Sequence, residues 1–161
     1  MTGRSVHIRT ALLCAAVLSG CAGTRPYESA SDRNVRFDTA VESGSWVSSV
    51  RASVHVHSVD RDCRTTYEGT IPLKNPTVVT GFPAGRMRYM VIAFNSSSFL
   101  LNRRSSIDYS TILTPRDGYD YEVAVRYRDD TYDASVVEVN RGNGTRRKLR
   151  HRPLQSCRGI G

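Results

Sequence analysis

The sequence contains none of the short motifs that commonly identify an enzyme. It has no Gly-x-Ser-x-Gly elbow, no Ser-x-x-Lys and no His-Glu-x-x-His, and its serine run 96–98 follows a strand pattern, where a turn is the ordinary interpretation. Its four cysteines include no Cys-x-x-Cys pair, so a redox-active dithiol is not indicated. We therefore expect neither catalysis nor a cofactor.

Long hydrophobic segments are also absent. The longest apolar run, TALLCAAVL at residues 10–18, is about half of the roughly 20 residues that a membrane-spanning helix needs. It follows a short stretch that carries Arg4 and Arg9 and no acidic residue, and small residues come directly after it. This order is typical of a cleaved export signal and not of a permanent span.

The end of this segment, Leu18-Ser19-Gly20-Cys21, resembles the lipobox of bacterial lipoproteins. In that family a peptidase cuts before the cysteine, whose thiol already carries a diacylglycerol. Cys14 does not fit, because a leucine precedes it where the pattern requires a small residue. The resemblance implies that residues 1–20 are a lipoprotein signal peptide and that Cys21 is lipidated. An ordinary secreted protein, cut at the same place, is the alternative.

The lipobox resemblance also implies a location. An acylated Cys21 makes the lipid bilayer a partner of the chain and places it in the bacterial cell envelope. In this family an aspartate after the cysteine favours retention in the inner membrane, and here the residue is Ala22. We therefore expect the outer membrane, with the protein facing the periplasm.

Beyond the signal, the chain divides into two parts. Residues 21–34 begin with Cys21, whose lipidation the lipobox resemblance implies. They lack hydrophobic periodicity and are rich in small and polar types, which predicts a flexible tether. Residues 35–161 show no internal repeat and no low-complexity break. Their length is sufficient for one domain with its own core.

Period-two alternation dominates the predicted domain. In residues 50–59 valine and alanine alternate with polar side chains, and residues 119–128 repeat the pattern with tyrosine and valine. Residues 86–94, 107–113 and 131–139 are further strand candidates, and turn sequences such as PRDG and NRGNG lie between the candidates. The sequence therefore predicts an all-β fold, an antiparallel β-sandwich of about seven strands.

The stretch LTPRDGYDYEVAV, residues 113–125, resembles the turn-into-strand segment of fibronectin type III and related immunoglobulin-like domains. In those domains a tyrosine hydroxyl bonds back to the backbone at the corner between two sheets. Tyr119, six residues after Leu113, stands at the matching position, and Tyr121 is the competing candidate. The resemblance implies an immunoglobulin-like sandwich and leaves the function open.

Two cysteines, Cys63 and Cys157, lie in the predicted domain. An even pair in an exported chain most often forms a disulfide. This bond would close a loop of about 90 residues, for which the chain-entropy model gives an upper contribution of about 4–5 kcal/mol. A reactive thiol pair is the alternative.

His55 and His57 alternate on one predicted strand, so their side chains share a face that zinc or copper can use. A metal site needs a third and a fourth ligand, and Asp60, Asp62 and His151 are the available candidates. The more ordinary interpretation is an exposed histidine pair on a solvated strand face.

Positive charge is concentrated near the C-terminus, in RRKLRHR at residues 146–152, within a chain of formal charge +8. Strand alternation puts Arg146, Lys148 and Arg150 on one face and Leu149 on the other. Because a lipid anchor removes nucleic acid as a partner, the expected anions are phospholipid head groups, lipopolysaccharide phosphates and peptidoglycan carboxylates. The alternative is a solvated edge strand whose charges prevent edge-to-edge pairing.

Two classes of function follow from these features. The first is a non-catalytic binding or assembly lipoprotein that engages another envelope protein or an anionic envelope polymer. The second is a periplasmic ligand- or metal-binding module that uses His55 and His57 or the basic strand 146–152.

Overall fold

The computed structural model describes residues 24–42, 48–98, 103–128 and 131–159. The predicted signal peptide and the predicted lipidation site, Cys21, lie outside these residues. Within them the chain is nearly all-β, as the alternation predicts, and its one helical turn is a 3-10 turn at Leu154–Gly159. None of the described segments forms a helix long and apolar enough to cross a membrane.

Nine strands form in the described residues. Their bounds are β1 Val35–Val41, β2 Ser48–Val59, β3 Thr65–Pro72, β4 Thr77–Thr80, β5 Arg88–Ser98, β6 Arg103–Leu113, β7 Tyr119–Arg128, β8 Thr131–Asn140 and β9 Arg146–Lys148. The five segments with the clearest alternation in the sequence correspond to β2, β5, β6, β7 and β8. The sequence did not mark β1, β3 and β4, of which β4 has only four residues.

The strands form two sheets that pack as a sandwich. One sheet has the order β3-β2-β5-β6 and the other the order β4-β1-β7-β8-β9. The core consists of the inward side chains of both sheets, among them the fully buried Val54, Val56, Ile92, Phe37, Val123 and Val125. The prediction of a two-layer β-sandwich is confirmed at this level.

Three details of the prediction are wrong. The described residues form nine strands, whereas about seven were expected. β1 pairs with β7 in parallel, with Val35 opposite Tyr121 and Val41 opposite Tyr127, whereas antiparallel pairing was expected throughout. The basic strand is also shorter than residues 146–152, because β9 ends at Lys148 and the following chain crosses to the other sheet. Alternation marks the faces of a strand but carries no information about the direction of its neighbour.

The segment predicted as a tether is docked on the domain from Arg25 onward. The backbone N–H of Thr70 in β3 donates to the Arg25 carbonyl (2.8 Å), and the Tyr27 N–H donates to the Thr70 carbonyl (3.0 Å). Pro26 thereby forms a parallel bridge beside β3. The ring of Tyr27 packs edge-on against Phe82, with ring centroids 5.5 Å apart.

Two glycines provide the space for this docking. A Cβ atom at Gly69 would lie 2.6 Å from the Cα of Tyr27, and Gly69 has a φ of +155° that side chains rarely adopt. A Cβ atom at Gly81 would lie 2.6 Å from the carbonyl oxygen of Asp32. The close approach of the N-terminal segment therefore depends on both positions having no side chain.

Cys63 and Cys157 form a disulfide in the structure, with Cα atoms 5.8 Å apart. Cys63 lies in the turn between β2 and β3, and Cys157 lies in the 3-10 turn that follows β9. The pair connects the C-terminal segment to the end of the sheet that contains β2 and β3.

Candidate functional site: a basic cleft at the sandwich edge

A cleft of about 520 Å³ opens between β6 and the β8–β9 side of the sandwich. β6 is the outermost strand of one sheet and β9 the outermost strand of the other, so both sheets end here. Residues 149–153 cross between them: the Leu149 N–H donates to the Val136 carbonyl, and the Ile112 N–H donates to the Arg152 carbonyl, each over 2.8 Å. This crossing holds its side chains at the mouth of the cleft.

The lining of the cleft is strongly cationic. Five positive side chains border it: Arg116, Arg147, Lys148, Arg150 and Arg152. One carboxylate, Glu138 of β8, is the acidic group among the lining residues. The walls behind the charges are apolar and come from Ile112, Leu113, Val136 and Leu149. The cleft therefore combines an excess of positive charge with apolar surface.

The side chain of Glu138 is only 5% exposed, and both of its carboxylate oxygens accept hydrogen bonds. The Arg116 Nε atom donates to Oε2 (3.0 Å), and the Nη2 atom of the same guanidinium donates to Oε1. Arg147 donates to Oε1 over 2.9 Å, and the Tyr121 hydroxyl donates to Oε2 over 3.0 Å. These bonds fix two of the five cations at the inner end of the cleft.

The charge of Glu138 follows from this network. Burial raises the pKa of its carboxyl, but the hydrogen bonds from Arg116 and Tyr121 and the charges of Arg116 and Arg147 outweigh burial, so the pKa is lowered. Burial and the neighbouring carboxylate raise the pKa of the Tyr121 hydroxyl against the opposing backbone hydrogen bond from Arg116. Glu138 is therefore ionised and Tyr121 is neutral at physiological pH.

Tyr121, the competing candidate for the predicted corner tyrosine, bonds back to the backbone of the preceding turn. Its ring is 1% exposed, and its hydroxyl accepts a hydrogen bond from the backbone N–H of Arg116 over 2.9 Å. The favoured candidate, Tyr119, is half-buried and instead has the Arg116 guanidinium stacked 3.9 Å from its ring centroid. The choice of Tyr119 is wrong because the Tyr121 hydroxyl makes the backbone hydrogen bond, whereas Tyr119, on the same face of β7, is only partly buried against the core.

Three cations of the cleft have no acidic partner among the described residues. Lys148, Arg150 and Arg152 form no ion pair there, and Lys148 and Arg150 are exposed. The backbone of Arg152 is fixed on β6, because its N–H donates to the Thr111 hydroxyl over 3.1 Å and its carbonyl accepts from Ile112. The side chains of Arg150 and Arg152 are therefore available to an anion that enters the cleft, and Lys148 adds positive charge at its border.

Of the three residues predicted to form one basic face, Arg146 and Lys148 lie opposite Val139 and Val137 of β8 and share the outer face of their sheet, as the alternation predicts. Arg146 pairs there with Glu122 of β7, Lys148 also borders the cleft, and Arg150 lies beyond the end of β9 and borders the cleft as well. Leu149 packs against the core, as its alternation predicts. Arg116 carries no signal in the sequence that marks it as a site residue; it follows Pro115 in the turn before β7 and becomes part of the cleft through the fold.

His55 and His57 lie on the outer face of β2, which is two strands away from β6 at the cleft edge. The Nδ1 atom of His55 is 2.7 Å from the Thr70 hydroxyl oxygen, and the ring of His57 packs between Tyr67 and Tyr89. Burial, followed by the charge of His55, lowers the pKa of His57 against the opposing charge of Glu68.

The residues considered as further metal ligands lie elsewhere. Asp60 and Asp62 bind Arg64 in the β2–β3 turn, and the Nε2 atom of His151 donates to the Ser110 carbonyl on β6. In the described ranges of the chain, no group of three or more histidine, cysteine, aspartate and glutamate side chains is placed to hold a metal ion.

In comparisons with known proteins, the chain matches no family model, no curated protein and no solved structure.

Proposed function

We propose that this chain is a lipoprotein of the bacterial envelope whose folded domain, without catalysing a reaction, binds an anionic envelope component in the basic cleft. The observation that carries this proposal is the lining of the cleft, in which five cations face one carboxylate. Because Glu138 already neutralises part of Arg116 and Arg147, the remaining three cations create the excess of positive charge that attracts an anion.

The side-chain types favour a carboxylate or a phosphate as the bound group. A guanidinium presents parallel N–H groups that match the two oxygens of such an anion. Arg116 already binds Glu138 in this two-bond manner, with an Nε–Oε2 distance of 3.0 Å. The apolar walls formed by Ile112 and Leu149 strengthen such a contact, because they reduce the solvent around the charges.

The anchor is proposed from Leu18-Ser19-Gly20-Cys21, and a diacylglycerol on Cys21 gives stable attachment without a membrane-spanning helix. Ala22 supports the outer membrane, with the domain in the periplasm. The immunoglobulin-like class of the sandwich is proposed from the corner hydrogen bond between the Tyr121 hydroxyl and the Arg116 backbone. Within this proposed class, β1 is the strand that pairs in parallel, with β7, whereas the other pairs of neighbouring strands are antiparallel.

The lipid anchor is tested with the variant Cys21→Ser in the full-length chain. We expect the wild-type protein to fractionate with membranes and to carry the mass of a diacylglycerol on an N-terminal Cys21. The variant should leave the membrane fraction or stay unprocessed. An unmodified Cys21 in the wild-type protein, or cleavage at another position, would end the lipoprotein proposal.

The cleft is tested with the double variant Arg150→Gln/Arg152→Gln in the purified full-length protein. The probes are fluorescent poly-glutamate and polyphosphate, and binding is measured by anisotropy as the salt concentration rises. We expect wild-type binding that weakens towards 0.15 M salt, where exposed charges are screened over about 8 Å, and at least a tenfold loss in the variant.

A matched control removes the same charge elsewhere. Arg51 and Arg126 are exposed on the outer faces of the two sheets, and neither borders the cleft. The variant Arg51→Gln/Arg126→Gln should bind the polyanions as the wild-type protein does. Equal losses in both double variants would mean that net charge, and not the cleft, causes the binding.

A further inference from the structure

The geometry points to a specific occupant of the cleft. We infer that the cleft faces away from the anchoring membrane and binds the carboxylate-bearing peptide stems of peptidoglycan, and not the head groups of the anchoring bilayer. This inference rests on the proposed function and adds the partner and the orientation. It depends on where the N-terminal segment docks, how much chain separates that docking point from Cys21, and where the cleft lies.

The docking point and the cleft lie at opposite edges of one sheet. Pro26 bridges to Thr70 of β3, Thr70 pairs with His55 of β2, His55 pairs with Val91 of β5, and Val91 pairs with Ser110 of β6. Ser110 stands between Tyr109 and Thr111, which line the cleft. This row contains four interstrand steps of about 4.8 Å, so about 19 Å separates the docking point from the cleft edge.

The chain between the proposed anchor and the docked segment is short. Only Ala22, Gly23 and Thr24 separate Cys21 from Arg25. Four fully extended Cα–Cα steps span at most about 14 Å. A domain docked through Arg25 therefore stays within about 14 Å of its lipidated residue, which is less than the width of the sheet.

Arg25 is held by more than its backbone. Its Nε and Nη2 atoms both donate to the Glu68 carbonyl, over 3.1 Å and 2.6 Å. The Tyr27 hydroxyl donates to the Gly81 carbonyl over 3.2 Å, on the same side of the domain. With this docking intact, the β3 edge stays next to the membrane and the cleft at the β6 edge is directed into the periplasm.

The direction of the cleft decides between the anions of the envelope. Head groups of the anchoring leaflet lie on the wrong side of the domain, and lipopolysaccharide phosphates lie across the outer membrane. Peptidoglycan lies in the periplasm and carries free carboxylates on peptide stems with small alkyl side chains. Those two features match the free guanidinium groups of Arg150 and Arg152 and the apolar wall around Ile112 and Val136. A volume of about 520 Å³ is in the range of specific ligand sites.

The test uses the full-length lipoprotein inserted in vesicles of phosphatidylcholine and mixed with isolated peptidoglycan sacculi. Capture of vesicles by the sedimenting sacculi is measured at 0.15 M salt. We expect capture by untreated sacculi and at least a fivefold loss when the carboxylates are amidated. Arg150→Gln/Arg152→Gln should lose capture to the same extent, and Arg51→Gln/Arg126→Gln should keep it, with thermal unfolding showing that both variants are folded.

A second arm distinguishes the membrane as the occupant. Adding phosphatidylglycerol to the anchoring vesicles should leave capture unchanged, because the cleft cannot reach the head groups. Insertion of 20 Gly/Ser residues after Thr24 lengthens the connection, so the same lipid should then compete and reduce capture. Competition by phosphatidylglycerol without the insertion, or no capture of the wild-type protein, would overturn the inference.

The outcomes separate this inference from the proposed function. If the protein binds poly-glutamate through Arg150 and Arg152 but does not capture sacculi, the proposed function stands and the peptidoglycan assignment is wrong. If it binds no polyanion at all, the proposed function is wrong as well.

Discussion

At the scale of single residues, Glu138 and Tyr121 illustrate how a buried charge is compensated at the edge of a core. The carboxylate accepts hydrogen bonds from two guanidinium groups and one phenol. The phenol in turn accepts a bond from the Arg116 backbone. These hydrogen bonds hold the side chains of Arg116 and Arg147 in the cleft. The three other cations of the cleft have no acidic partner in the described chain.

Replacing Tyr121 by phenylalanine should destabilise the domain by about 1–3 kcal/mol. The change removes one hydroxyl and leaves a buried carboxylate oxygen and the Arg116 N–H each short of one partner. Urea unfolding gives the free energy of unfolding of the variant. Tyr119→Phe is the control and should cost less than about 0.5 kcal/mol, because the stacking of Arg116 on the ring is preserved. If both variants lost equal stability, the corner role of Tyr121 would be refuted.

At the scale of elements, the segment at residues 25–34 behaves as an additional edge of the domain. Its backbone bonds to Thr70 and its aromatic residue packs on Phe82. Small and polar residues predicted a flexible tether here. The same residue types leave the main chain accessible, so they also allow the segment to lie against the backbone of β3. The docking depends on glycines that are distant in sequence.

Gly69→Ala should release this segment. The added methyl group meets the Tyr27 Cα at 2.6 Å, and the φ of +155° adds a backbone strain of about 1–3 kcal/mol. We expect trypsin to cleave after Arg33 faster in the variant than in the wild-type protein, as followed by intact mass. Gly142→Ala, where the added methyl group meets only the Asn140 side chain at 3.3 Å, is the control. Unchanged cleavage in Gly69→Ala would show that the segment is not held there.

At the scale of the whole molecule, the C-terminal segment joins the two sheets. It leaves the edge of one sheet at β9, crosses the cleft and bonds to β6 of the other sheet. It then reaches the β2–β3 turn, where Cys157 is bonded to Cys63 across 94 residues of sequence. The cleft is therefore bounded by a segment that is fastened at both of its ends.

Removal of the disulfide should lower the free energy of unfolding by up to about 4–5 kcal/mol, the chain-entropy value for a loop of this length. Cys63→Ser, Cys157→Ser and the double variant should lose equal amounts, since one cysteine without its partner contributes no cross-link. Chemical unfolding with and without reductant provides the measurement. If both thiols of the folded, unreduced protein react with an alkylating reagent, the two cysteines are not bonded.

The sequence by itself determined the fold class, because inward and outward side chains alternate along each long strand wherever one face is buried. It also determined the inward direction of Leu149 and the concentration of positive charge in residues 146–152. The export signal and the lipidation of Cys21 are predictions from the same level, and they stay predictions.

Only the tertiary structure decided which strands pair and what the basic residues contact. The parallel register of β1 and β7, the selection of Tyr121 over Tyr119 and the entry of Arg116 into the cleft all depend on contacts between segments that are distant along the chain. The same holds for the docking of Arg25 on β3, where the decisive feature is the absence of a Cβ atom at Gly69. Alternation is a property of one strand, whereas a site at the edge of a sandwich is built from the ends of several.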